Sequence, residues 1–192
     1  MQVGLYFGSF NPIHHGHLLI AMYILEKTEL DQIWFVVSPQ NPLKPSGSLL
    51  NEYHRLHLVH LAIEGEKRLK ASDIEFKLPK PSYTADTLTY LQEKYPTHVF
   101  SVIMGSDSFQ NIPKWKNYSY LLQNYPIYIY KRATHEKLAS YPEAKELIIL
   151  DEAPLLPISA TDIRKKMKAG RSIRYLVPDA VREEIEKNGY YR

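Results

Sequence analysis

The sequence predicts an α/β fold in which a doubly wound, Rossmann-like parallel sheet carries helices on both faces. Two features of the chain predict this class. Short apolar runs rich in β-forming residues alternate with longer segments of helical period, and turn residues separate the segments. Because a right-handed crossover must bury the apolar stripe of its helix against the sheet, this alternation favours parallel strands.

The predicted strands are short apolar runs. The first two, VGLYF at 3–7 and QIWFVV at 32–37, flank a segment of helical period, and the others follow at 69–76, 98–104, 127–130 and 147–150. Helical periodicity predicts helices between them at 15–27, 52–63, 84–94, 118–123 and 135–145, and two more near 160–169 and 179–187. The Pro-rich stretch SPQNPLKPSG, residues 38–47, is predicted to be a long loop after the second strand.

Length and composition limit the number of domains and the class of partner. With 192 residues, of which 44% are hydrophobic and 23% charged, the chain suits a single domain over 1–192. The absence of cysteine excludes disulfides, thiolate metal sites and thiol nucleophiles. With no secretory-signal pattern and no apolar run of membrane-spanning length, we expect a cytoplasmic protein without a membrane partner. The net charge of +3, spread along the chain, argues only weakly for a polyanion, so we expect small anionic ligands and no nucleic acid.

The segment GSFNPIHHGH, residues 8–17, lies where the first predicted strand leads into the first helix. Gly8 and Gly16 remove side chains where a ligand can approach the backbone. Free N–H groups in the first turn of the helix attract a phosphate. Because His14 and His17 are three positions apart, one helical turn aims both imidazoles at the same region.

Paired imidazoles beside a helix N-terminus suit phosphoryl transfer, where donors must meet the negative charge that grows on the transferred group and the leaving oxygen. For either histidine alone, a helix cap or a half-buried polar group is the alternative explanation. A zinc pair is poorly supported because no glutamate stands nearby on the same predicted helix. The agreement of glycine, proline, histidine and strand-to-helix position favours the phosphate interpretation.

Several segments resemble those of a known family. GSFNPIHHGH resembles the HxGH signature of the nucleotidylyltransferase superfamily, and ISATDIR at 158–164 resembles its second signature, ISSTxxR. PSYTADTL at 81–88 and MGSDSFQNIPKW at 104–115 are similar to the bacterial nicotinate-nucleotide adenylyltransferases, and the likeness covers almost the whole chain. The resemblance implies transfer of the adenylyl group of ATP to nicotinate mononucleotide, which gives nicotinic acid adenine dinucleotide and pyrophosphate in NAD biosynthesis.

The resemblance also implies roles for individual residues. Those implied in catalysis are His14, His17, Lys44 and Arg164. Those implied in ATP binding are Gly8, Ser9, Phe10, Gly16, Gly105, Asp107, Ser159 and Thr161. Those implied in binding the mononucleotide are Ser82, Tyr83, Thr84 and Trp115. No protein metal ligand is implied, and we expect Mg²⁺ to arrive with ATP and to be held mainly by phosphates and water.

Elementary chemistry is compatible with these roles at the ATP end. Ser159 or Thr161 can cap a helix whose free N–H groups face the β- and γ-phosphates, and Arg164 can add a forked cation. Asp107 follows the fourth predicted strand, where an acid can accept hydrogen bonds from ribose hydroxyls. The ordinary alternatives are helix N-caps and a solvated arginine.

At the other end, main-chain N–H groups near 82–84 can bind the nicotinate carboxylate, and Trp115 can stack on the pyridine ring. The alternatives here are a capping turn and a core tryptophan. The chain departs from the family pattern at Asn11, where Asp is frequent, at Leu43, which replaces a histidine beside the loop lysine, and at Ala160, which replaces the second serine of ISSTxxR.

Alternative functions stay open at this point. The same chemistry on nicotinamide mononucleotide or phosphopantetheine would use the same two signatures. A nucleotide-binding module without turnover would instead use the basic run RKKMKAGRSIR, residues 164–174, on nucleic acid. That run is more simply a solvated helix face followed by a turn.

Overall fold

Six parallel strands form one sheet in the computed structural model, which describes residues 1–40, 49–131, 139–154 and 156–192. The strand order is β3-β2-β1-β4-β5-β6, and every neighbouring pair is parallel. Strand bounds are β1 (Gln2–Gly8), β2 (Gln32–Val37), β3 (Leu69–Ser72), β4 (Val99–Gly105), β5 (Ile127–Tyr130) and β6 (Leu147–Leu150). The order reverses between β1 and β4, which makes the sheet doubly wound as predicted.

The helices follow the strands along the chain. Their bounds are α1 (His15–Lys27), α2 (Glu52–Ala62), α3 (Thr84–Lys94), α4 (Ser106–Gln110), α5 (Tyr118–Asn124), α6 (Ala160–Lys168) and α7 (Asp179–Asn188). Short 3₁₀ helices span Ile74–Lys77 and Ile112–Lys114. Among the described residues, no helix is both long and apolar enough to cross a bilayer.

Alternation along the strands divides the core between the two faces of the sheet. On β1, Val3 and Leu5 pack with residues of α3 and α5, whereas Tyr6 packs on the opposite face with residues of α1, α2, α6 and α7. Because successive side chains of a strand point to opposite faces, each central strand contributes to both clusters. The predicted helical cover on both faces is confirmed.

Two predicted elements differ from the structure. The strand predicted at 69–76 ends at Ser72, and a 3₁₀ helix follows because Asp73 is a poor strand former that favours a turn. The helix predicted at 135–145 is wrong over 139–145, which contains no helix; Pro142 lacks an N–H donor and restricts the residue before it. The rest of that prediction, and most of the predicted loop at 38–47, lie outside the described residues. Helix α4 and the two 3₁₀ helices were not predicted.

A buried arginine holds together the loops at the carboxyl edge of the sheet. Arg55 on α2 is 0% exposed. Its Nε donates to the Leu50 carbonyl (2.7 Å), its Nη1 to the carbonyls of Ser9 (2.6 Å) and Ser38 (2.8 Å), and its Nη2 to that of Pro39 (3.1 Å). Burial lowers the pKa of the guanidinium. The four carbonyl oxygens therefore replace the water that this cation has lost.

We expect Arg55→Met to reduce the free energy of unfolding by about 3 kcal/mol, because it leaves buried carbonyl acceptors without donors. Urea unfolding followed by circular dichroism measures this change. The control is Arg68→Met, since Arg68 forms an exposed ion pair with Glu66, a type of pair that contributes little to stability. Equal stability of the two variants would contradict the assignment.

Candidate active site

A cleft of about 760 Å³ opens at the carboxyl ends of the central strands. It lies beside β1 and β4, at the point where the strand order reverses and where doubly wound sheets bind ligands. Its lining includes most of the residues predicted to bind substrate: Gly8, Ser9, Phe10, His17, Ser82, Tyr83, Thr84, Gly105, Asp107 and Trp115. The structure thus brings residues from four separate segments of the chain to one cavity.

His14 and His17 form a stacked pair at the start of α1. Their ring centroids are 3.7 Å apart and the ring planes differ by 24°. The backbone N–H of His14 donates to Nδ1 of His17 (3.3 Å), and the N–H of His17 donates to the carbonyl of His14 (2.9 Å). In a neutral imidazole, an Nδ1 that accepts a hydrogen bond leaves the proton on Nε2. His17 therefore carries its proton on Nε2, and this histidine is the one of the pair that lines the cleft.

Aromatic rings enclose His17 on its other sides. Phe10 meets it edge to face at a centroid distance of 5.1 Å, and Tyr6 does so at 6.0 Å. Behind them, the hydroxyls of Tyr6 and Tyr130 lie 2.9 Å apart, and both tyrosines line the cleft. No local pattern predicted this tyrosine pair, because Tyr6 and Tyr130 lie on strands β1 and β5 with β4 between them.

The two glycines of the first motif allow side chains of the same motif to pack closely against the backbone. A Cβ on Gly8 would lie 2.9 Å from the ring of Phe10, and a Cβ on Gly16 would lie 3.0 Å from Nδ1 of His14. Phe10 adopts the left-handed region with a φ of 43°, a conformation that costs energy for a bulky residue. The glycines thus let the aromatic rings of the motif fold back against the backbone.

The second motif meets the first through its arginine. Ser159 caps α6, its Oγ accepting from the N–H of Asp162 (3.1 Å), which confirms the predicted cap. Arg164 donates from Nη1 to the carbonyl of Asn11 (2.8 Å) and from Nη2 to Oγ1 of Thr161 (3.3 Å). The second motif therefore docks on the loop that carries the first, beside the cleft and not among its lining residues.

The remaining predicted residues are placed as follows. His14 and Gly16 are buried behind the cleft lining. Asp107 lies in the first turn of α4, whose N-cap is Gly105, so the alternative of an Asp107 cap is wrong. Lys44, with its neighbour at position 43, lies outside the described residues, and its role stays a prediction.

Two segments predicted to bind the mononucleotide lie next to each other in the cleft wall. Trp115 is half-buried: it lines the cleft and also packs against the core cluster of the α3 side. Lys116 forms an ion pair with Asp86 in the first turn of α3 (2.8 Å) and lies 4.8 Å from the centroid of the Tyr83 ring. The Trp115 stretch and the start of α3 are therefore joined at the cleft wall.

Sequence reasoning missed one buried carboxyl group in this wall. Glu75 is 1% exposed, lines the cleft and accepts a hydrogen bond from Ser82 Oγ (2.6 Å). A signal was present, because the glutamate stands inside an apolar run that was predicted to be a buried strand. The fully buried Arg55 had a similar signal, since it shares a helical face with Leu58 and Val59.

A protein-bound metal cluster has no support in the described residues. No group of three or more His, Cys, Asp or Glu side chains among them is arranged to hold a metal ion. The charged groups of the lining are single carboxyls and lysines, and Glu75 already accepts from a hydroxyl.

The strand order, the cleft at its switch point and the stacked histidines define an α/β nucleotidyltransferase. Residues 5–166 match the cytidylyltransferase-like family model. Two relatives named as probable nicotinate-nucleotide adenylyltransferases cover the chain from end to end. The protein from Flavobacterium psychrophilum is 47% identical over 192 residues and spans 100% of both chains. The protein from Cytophaga hutchinsonii is 49% identical and spans 100% of this chain and 98% of its own. The chain therefore belongs to the nicotinate-nucleotide adenylyltransferase family.

Solved structures show the same fold. The nicotinic acid mononucleotide adenylyltransferase of Plasmodium falciparum, complexed with NaAD, superposes with a TM-score of 0.83 at 20% identity and covers 99% of this chain and 97% of its own. The same enzyme complexed with APC superposes with a TM-score of 0.80 at 19% identity and covers 99% and 96%. At this identity the similarity concerns the fold.

We expect Gly16→Ala to lower kcat by about 10- to 100-fold, because the new Cβ forces the His14 ring, and with it the stacked His17, out of position. The free energy of unfolding should change little, since the ring can rotate. Steady-state kinetics and thermal unfolding measure the two effects. An unchanged kcat would show that the stacked geometry does not matter.

Proposed function

We infer that this chain transfers the adenylyl group of ATP to nicotinate mononucleotide, with nicotinic acid adenine dinucleotide and pyrophosphate as products. One observation carries the proposal: His17, at the start of α1, lines the same cleft as Tyr83 and Trp115. The cavity thus combines an imidazole suited to a phosphate with aromatic surfaces suited to a pyridine ring. Membership of the nicotinate-nucleotide adenylyltransferase family selects this acceptor over nicotinamide mononucleotide and phosphopantetheine.

The reaction needs positioning and charge stabilisation, and no protein nucleophile. An oxygen of the mononucleotide phosphate forms the new bond to the α-phosphorus of ATP, and the bond from that phosphorus to the bridging oxygen of pyrophosphate breaks. The attacking group is already an anion. The protein therefore has to hold two anionic substrates in line and to stabilise the charge that moves onto pyrophosphate.

Each end of the site has groups suited to these tasks. The N–H on Nε2 of His17 can bind an oxygen of the α-phosphate. The rings of Phe10 and Tyr6 pack edge to face against the imidazole and hold it in place. Arg164 lies beside the loop of the first motif, with hydrogen bonds to Asn11 and Thr161. We place the triphosphate between these two sets of donors.

The mononucleotide end is formed by the start of α3 and the Trp115 stretch. The N-cap residue of α3, Tyr83, makes no side-chain capping bond, which leaves first-turn N–H groups for an anionic ligand. A carboxylate on the pyridine ring would accept from these groups while the ring stacks on Trp115. This arrangement explains a preference for nicotinate over nicotinamide, since an amide presents no negative charge to the helix N-terminus.

We further propose that Mg²⁺ enters with ATP. The ion would offset the charge of the triphosphate and of the departing pyrophosphate, with phosphate oxygens and water as its ligands. A cytoplasmic location is also our proposal, and it follows from the requirement for ATP.

The proposal is tested by pyrophosphate release with ATP and each candidate acceptor. We expect turnover with nicotinate mononucleotide and much slower turnover with nicotinamide mononucleotide and phosphopantetheine. Addition of a chelator in excess of Mg²⁺ should stop the release. Absence of turnover with nicotinate mononucleotide under conditions where ATP binds would overturn the proposed function.

We expect His17→Ala to lower kcat by about 100- to 1,000-fold with little change in stability, because one donor to the transition state is lost. The matched control is His15→Ala, which removes a neighbouring imidazole that does not line the cleft. Pyrophosphate release and thermal unfolding on both variants provide the measurement. A kcat for His17→Ala similar to that of the control would refute the role.

We expect Trp115→Ala to weaken binding of nicotinate mononucleotide by roughly 1 to 3 kcal/mol, the energy typical of stacking on an aromatic side chain. The affinity for ATP should stay nearly constant. The control is Trp34→Phe, a change to a core tryptophan that is 3% exposed, which should reduce stability and spare both affinities. If Trp115→Ala weakens both substrates equally in calorimetric titrations, Trp115 is a core residue only.

A further inference from the structure

Glu75 is a buried acid in the wall of the cleft with no role in the chemistry described so far. It lies on the 3₁₀ helix that follows β3, is 1% exposed and lines the cavity next to Ser82 and Tyr83. A buried carboxyl group is costly, and an apolar side chain of similar volume usually serves stability as well or better. Its presence at the cleft therefore calls for a reason other than stability.

The two carboxyl oxygens of Glu75 form hydrogen bonds to the two ends of the segment 82–87. Oε2 accepts from Ser82 Oγ (2.6 Å), and Oε1 lies 3.0 Å from Thr87 Oγ1. The Thr87 hydroxyl is also 3.2 Å from the carbonyl of Tyr83, the N-cap residue of α3. Ser82 and Thr87 are themselves buried, at 7% and 0% exposed. The carboxyl group thus links the loop before α3, its N-cap residue and its first turn in one network that excludes water.

This segment is where the proposed function places the pyridine carboxylate. The position of that carboxylate depends on the first-turn N–H groups of α3. The direction of these N–H groups depends on residues 82–84, which set the start of the helix. Burial raises the pKa of the Glu75 carboxyl group. The Thr87 hydroxyl donates to Oε1 and also lies within hydrogen-bond distance of the Tyr83 carbonyl.

We propose that Glu75 is a positioning residue for the mononucleotide: its carboxyl group fixes Ser82 and Thr87, and through them the start of α3, in the orientation that binds the nicotinate end of the substrate. The inference rests on the proposed function. Glu75 acts through these hydroxyls and leaves the ATP end, built from α1 and α6, unaffected.

The chain allows a test with isosteric changes. In Glu75→Gln, the amide oxygen accepts from Ser82 and the amide nitrogen donates to Thr87, so the network is kept. Glu75→Met has similar length and neither accepts nor donates strongly, so Ser82 and Thr87 both lose their hydrogen bond to residue 75. Thr87→Val breaks the same network from the helix side and leaves the carboxyl in place. Glu93→Gln, on the exposed face of α3, controls for loss of an acid from this region.

Steady-state pyrophosphate release is measured for the intact chain and each variant with both substrates varied. We expect Glu75→Met to raise the KM for nicotinate mononucleotide by about ten-fold or more, with Thr87→Val raising it by a smaller factor of about three. The KM for ATP should stay within about two-fold, and Glu75→Gln and Glu93→Gln should resemble the unsubstituted chain.

A purely structural role predicts a different result. It lowers the melting temperature and the active fraction, which reduces kcat and leaves both KM values unchanged, and that outcome would overturn the proposal. A Glu75→Gln variant as impaired as Glu75→Met would overturn it as well. If Glu75→Met does not fold, as judged by circular dichroism, Thr87→Val provides the test. An unchanged KM for the mononucleotide in that variant would overturn the proposal. Lack of turnover by the unsubstituted chain would instead overturn the proposed function, and the positioning role with it.

Discussion

The buried guanidinium of Arg55 joins the loops that follow β1 and β2 to the loop that leads into α2. A cation with no exposed surface is stable here only because four carbonyl oxygens surround it, so those carbonyls must stay where they are. One of them belongs to Ser9, next to Phe10 and Asn11. The conformation of the first motif therefore depends on a residue of α2 that is far from it in sequence.

Two further sets of contacts connect this loop to the rest of the site. The Asn11 carbonyl accepts from Arg164, which ties α6 to the first motif, and its Oδ1 accepts from the N–H of Leu50. Phe10, turned back over Gly8, packs edge to face against His17. A single N–H donor held in place in this way contributes more than one in water, because it needs little reorganisation as charge develops. The strained backbone of Phe10 is maintained by the packing around its ring.

Much of the fold was predictable from local pattern. The bounds of β2, β5, β6, α1 and α3 agree with the apolar runs and helical periods, because strand and helix periodicity records which face of each segment is buried. The two wrong element predictions have local causes that outweighed the hydrophobic pattern. Asp73 ends β3 early, and Pro142 prevents a helix. The glycines of the first motif were predicted to let a ligand approach the backbone. The structure adds a packing reason, since the rings of Phe10 and His14 lie where Cβ atoms on Gly8 and Gly16 would be.

The sequence by itself determined the fold class, the family signatures and the positions of the candidate residues along the chain, because period, turn chemistry and short motifs are local properties. Tertiary structure alone decided which of those residues share a cavity. Arg55, Glu75 and the Tyr6–Tyr130 pair had no motif. The contacts of Arg55 and of the tyrosine pair join elements separated by long stretches of chain, and Glu75 bonds across the turn between its 3₁₀ helix and α3. Their roles follow from burial, since a polar group removed from water must find its partners in whatever backbone or side chain the fold brings within reach.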